Sequence, residues 1–65
     1  MIIQEIFEEL TQKLSAESIL KNARRNQENP FGYVIDYIKD MYNLSKTEGW
    51  DTAKEICRYF KVQEV

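Results

Sequence analysis

Apolar residues recur every three or four positions along almost the whole of this chain, and only one proline and two glycines interrupt them. A period near 3.6 keeps apolar side chains on one face of a helix, whereas half-buried strands would need strict alternation. The pattern predicts an all-α fold, a compact bundle of three to four short helices forming a single domain over residues 1–65.

The phase of the pattern sets the element boundaries. Ile3, Phe7, Leu10 and Leu14, with Ile6 beside them, mark one face of a helix from about Ile2 to Leu14. Ala16, Ile19, Leu20 and Ala23 mark another face, centred roughly 150° around the same axis. One straight helix cannot bury both stripes on one core, so a break is expected near Ser15, whose hydroxyl can cap a second helix ending around Arg25 or Asn26. Asn26-Gln27-Glu28-Asn29-Pro30 is the clearest loop, and its last two residues read as an N-cap followed by proline at the first helical position.

A third helix starting there has a core stripe of Phe31, Val34, Ile35, Ile38, Met41 and Tyr42. It should fade between Asn43 and Ser45. Gly32 falls early enough in it to be tolerated. Ser45-Lys46-Thr47-Glu48 matches a capping box, with Asp51 a competing cap because Gly49 follows directly. The fourth helix is expected to bury Trp50, Ala53, Ile56, Cys57 and Phe60, and to turn Asp51, Lys54, Glu55, Arg58 and Lys61 to water. Gln63-Glu64-Val65 should fray. The middle of each stripe puts Phe7, Leu10, Ile35, Ile38, Ile56 and Phe60 at the centre of the core.

Residue types then narrow the chemistry. A chain of 65 residues holds one thin core and leaves little depth for a buried active site. There is no histidine, the usual base beside a nucleophile, and no glycine-rich phosphate loop. The only thiol, Cys57, falls on an apolar helix face, where it is expected to be inert, and alone it cannot form an intramolecular disulfide. Glu5 with Glu9, and Asp36 with Asp40, each share a helix face, yet two exposed acids without further ligands are ordinary solvated charge. No enzyme activity, metal or cofactor is expected. The opening residues turn acidic within one helical turn, unlike a secretory leader, and the longest apolar run is three residues. A cytoplasmic protein without a membrane span is the expectation.

Two surface patches remain. Lys21, Arg24 and Arg25 lie at i, i+3 and i+4 on one flank of the second helix, around Asn22 and Asn26. They either complement the helix dipole or contact a phosphate or an acidic partner. Tyr33 and Tyr37, with Leu44, are offset roughly 110° from the third helix's core stripe. Either that helix is packed on two sides, or the tyrosines form a contact surface for another protein or a second copy of the chain. The segment Thr52-Ala53-Lys54-Glu55-Ile56-Cys57-Arg58-Tyr59-Phe60-Lys61-Val62 resembles the first helix and turn of a helix-turn-helix DNA-binding motif, with small Cys57 at the tight packing position. Lys61 stands where that family commonly has a turn glycine, and three residues after Val62 are too few for a recognition helix. The functional expectation is a non-catalytic protein that binds another protein in a regulatory or inhibitory role. The alternative is a nucleic-acid-binding module using the basic flank of the second helix.

Overall fold

The computed structural model describes residues 3–62, and among them are four helices: α1 (Gln4–Lys13), α2 (Ala16–Arg25), α3 (Pro30–Met41) and α4 (Lys46–Phe60). The all-α bundle expected from the periodicity is the observed fold, in its four-helix form. Ile2 and the segment Gln63–Val65, whose fraying was expected, lie outside the described residues.

The break between α1 and α2 falls where the two apolar stripes go out of phase. Leu14 and Ser15 are both extended, with φ/ψ of −108°/163° and −141°/160°. The Ser15 hydroxyl accepts the Ser18 N–H at 3.1 Å, and the Ser15 N–H donates to the Ser18 hydroxyl at 3.1 Å. Two otherwise orphaned donors are thereby satisfied by a reciprocal serine pair. The Asn29 side chain caps α3 through the Gly32 N–H at 2.7 Å, with Pro30 in the first turn. Of the two competing caps for α4, Ser45 is the one used. Its hydroxyl accepts the Glu48 N–H at 3.2 Å while the Glu48 carboxylate accepts from the Ser45 N–H at 3.3 Å.

The C-termini of α2 and α4 close in the same way. Gln27 and Lys61 take left-handed conformations, with φ of 58° and 57°. Beyond them the Glu28 N–H donates to the Ala23 carbonyl and the Val62 N–H to the Cys57 carbonyl, both at 3.0 Å. These are Schellman turns built without glycine.

α3 and α4 form the most extensive contact, α2 packs on α3, and α1 packs on α4. Leu10, Ile19, Val34, Ile38, Ala53 and Ile56 are completely buried between them, and Cys57 is buried beside them as its apolar position predicted. The centre of the core differs from the expected one. Leu10, Ile38 and Ile56 are there, but Phe7, Ile35 and Phe60 are only half-buried and pack around the margin. Thin layers of short helices have room for aliphatic side chains at the middle and push rings outward.

Three further positions depart from the periodic reading. Met41, the last residue of α3, is 51% exposed because the chain turns extended at Tyr42 and the helix runs out. Leu20 is 41% exposed, since α2 buries only the narrow stripe of Ile19 and Ala23. Trp50 is 46% exposed because the buried face of α4 is turned toward Gly49 and Thr52.

Candidate partner-binding surface

Tyr33 and Tyr37 stand one turn apart on α3 with ring centroids 6.2 Å apart, and both are half-buried against the core, as is Leu44. α3 packs on both α2 and α4. The wide apolar arc of α3 thus belongs in large part to a centrally placed helix, and the tyrosines offer a partner only their outer edges.

The more prominent exposed rings are on α4. Trp50 is held edge-on to Phe31, with centroids 5.5 Å apart and planes at 85°, and the Lys54 ammonium lies 5.2 Å from its ring centre. Tyr59 is 57% exposed, edge-on to Phe7 at 5.8 Å and to Phe60 at 4.9 Å. A helical step of about 100° puts these two rings on opposite shoulders of α4. Lys54 accompanies Trp50 on its shoulder, and Glu48 and Glu55 accompany Tyr59 on the other. The Tyr59 shoulder faces α1, which carries Glu5, Glu8 and Glu9. Asp51 and Arg58, the latter paired with Glu55 at 3.3 Å, fall between the two shoulders, so acids and bases are only partly separated around α4. Periodicity alone hid the exposed ring because it assigned Trp50 to the core.

Lys21, Arg24 and Arg25 are exposed on α2, and among the described residues they form no ion pair. Arg24 and Arg25 occupy the last turn of α2, where cations complement the partial negative charge of the helix end. Arg24 also lines an open groove of about 470 Å³ between the ends of α2 and α4. The apolar part of the groove comes from Leu20, Ala23, Pro30 and Val62, and Arg24, Glu28, Asn29 and Lys61 supply the rest of its lining. A smaller depression beside it, of about 380 Å³, is lined by Glu17, Leu20, Lys21 and Arg24. Pro30 connects the groove to the tryptophan, because the next residue, Phe31, is the ring against which Trp50 stacks. No motif marked this groove, since it depends on two helix ends far apart in sequence meeting in space.

Among the described residues no three His, Cys, Asp or Glu side chains converge as they would around a metal ion. Of the paired acids, Glu9 is engaged otherwise: it accepts a hydrogen bond from the Tyr42 hydroxyl and pairs with Lys13 at 3.5 Å. These contacts, Tyr42 first, hold the Glu9 carboxyl below its ordinary range. The Tyr42 phenol is pushed up to about 12 by desolvation of its ring and by the Glu9 carboxylate. No described helix is long and apolar enough to cross a membrane.

No family model matches this chain, and comparison with curated proteins and with solved structures yields no match.

Proposed function

We propose that this is a non-catalytic helical module that binds another protein in a regulatory or inhibitory role, through the side of the molecule carrying Trp50 and Leu20. The observation that carries this reading is Trp50: a large ring that remains nearly half exposed while Phe31 fixes its orientation. An aromatic already held in place loses little conformational freedom on binding, and such residues supply a disproportionate share of interface energy. Leu20, exposed on α2 next to the groove, adds a second apolar contact.

The test is affinity purification from the source cell with the intact chain, with Leu20→Ser/Trp50→Ser and with Tyr33→Ser/Tyr37→Ser, each checked for a cooperative melt. A partner lost with the first pair and retained with the second supports this surface. Equal capture by all three, or capture of nothing, removes it. Because Trp50 is the only tryptophan, its fluorescence gives a second readout, with a blue shift expected as a partner covers the ring.

Nucleic-acid binding is the second reading, favoured by the absence, among the described residues, of ion pairs to Lys21, Arg24 and Arg25. Glu17 and Glu28, which line the same depressions, oppose it. Binding that weakens steeply and log-linearly with salt would support it, as phosphate neutralisation releases counterions.

A further inference from the structure

Resting on the protein-binding reading, we propose that the groove between the ends of α2 and α4 seats an acidic segment of the partner protein that carries an apolar anchor residue. Groove size comes first. A volume of about 470 Å³ suits one or two side chains rather than a helix or a folded surface. The groove's apolar lining, from Leu20, Ala23, Pro30 and Val62, gives an aliphatic or aromatic anchor something to displace water from.

The charge at the rim selects the neighbours of that anchor. Arg24 and Lys61 stand at the groove and Lys21 in the adjoining depression, and none of the three forms an ion pair among the described residues. Against them stand Glu28 and Glu17, so the cations outnumber the acids around the two depressions. The backbone acts in both directions here: Asn29 and Pro30 bring the partially positive N-terminus of α3 to the groove, while α2 and α4 present their C-terminal, partially negative ends. Their Schellman turns nevertheless occupy the Ala23 and Cys57 carbonyls with internal hydrogen bonds. Recognition therefore depends on the guanidinium of Arg24 and the ammonium groups, which gives a surface sensitive to charge reversal. A nucleic-acid strand fits less well, because a largely apolar groove gives phosphates no apolar anchor to bury and no advantage over open solvent.

Fluorescein-labelled decapeptides test this with the full chain: one alternating Glu with Leu, one alternating Lys with Leu, and one of Glu with Ser. Oligothymidylate of similar length is the fourth probe. The Glu/Leu peptide is expected to bind best, to weaken with added salt, and to lose at least tenfold in affinity in Arg24→Glu/Lys61→Glu. Glu28→Gln, which removes the opposing acid, should tighten it severalfold. Both variants alter exposed or rim positions, and a cooperative melt confirms that they are folded.

Equal binding of the Lys/Leu peptide, indifference to the charge reversal, or no peptide binding overturns the proposal. Tighter binding of oligothymidylate, lost in Arg24→Glu/Lys61→Glu, also overturns it and assigns the groove to nucleic acid. A partner captured through Leu20 and Trp50 while the acidic peptide fails to bind would overturn only the groove's chemistry and leave the protein-binding reading standing.

Discussion

Thr52 is fully buried on α4, and its hydroxyl has no hydrogen-bond partner among the described residues. A buried hydroxyl that gives up water without compensation costs about 1–3 kcal/mol. Thr52→Val keeps the β-branched shape and removes the polar atom, so it should stabilise the fold by about 1 kcal/mol, a rise of roughly 5 °C in Tm for a chain this short. An unchanged or lower melting temperature would mean that the hydroxyl is satisfied in solution. Tyr42 and Glu9 form the other informative pair, linking the C-terminal end of α3 to α1. Glu9 titrates below its ordinary 4.5, so its contribution is present above that value and disappears as pH falls through the depressed one. Tyr42 titrates near 12 rather than 10, so its contribution is intact below 10 and is lost as pH rises from 10 through 12. Tyr42→Phe should move the Glu9 carboxyl back toward 4.5 in an NMR titration and flatten the alkaline loss of stability between pH 10 and 12. A Glu9 titration identical in both proteins would show that Lys13 alone depresses it.

Helix boundaries are set by short polar devices whose cost can be measured one at a time. Ser15 satisfies donors at the start of α2 and interrupts a register that would otherwise put two apolar faces in conflict. Ser15→Ala removes the accepting oxygen and should cost about 1 kcal/mol in chemical denaturation, with the break itself retained because stripe phase, not the cap, requires it. Loss of the break, seen as new helical NMR shifts at Leu14 and Ala16, would show the reverse. Gly49 in α4 offers a gain instead. A Cβ built there meets nothing within 4 Å, and its φ is not positive. Gly49→Ala should therefore stabilise by roughly 0.5–1 kcal/mol, through helix propensity and a less flexible unfolded chain. A loss of stability would mean that α4 has a closer neighbour at that point than the structure shows.

At the scale of the molecule, a bundle measuring 26 × 20 × 19 Å cannot enclose all of its aromatic residues. The rings are distributed around a small aliphatic centre, where they pack inward on one edge and face water on the other. Tyr33 and Tyr37 are therefore expected to support folding more than association. Tyr33→Ser/Tyr37→Ser should lower stability by about 2–4 kcal/mol, a discount from the cost of removing fully buried rings. That is a large share of what a domain this size has, so the melt should fall well below that of the parent. An unchanged melt combined with lost association would instead return these tyrosines to the interface.

Sequence by itself determined the helical class, the break at Ser15, the cap at Asn29 and the burial of Cys57, and narrowed the cap of α4 to Ser45 or Asp51. Each follows from the period of the apolar residues or from a side chain reaching its own backbone within three or four positions, interactions that are local and so readable in order. Only the tertiary structure decided which residues at the edges of those stripes are covered. Leu20, Met41 and Trp50 carry the same apolar signal as their buried neighbours, and their exposure depends on where adjacent helices end and how far α4 is rotated. Thr52 and Gly49 entered the core with no apolar signal at all. The groove was unreadable for the same reason, because Arg24 and Lys61 come to line one depression only in the folded chain.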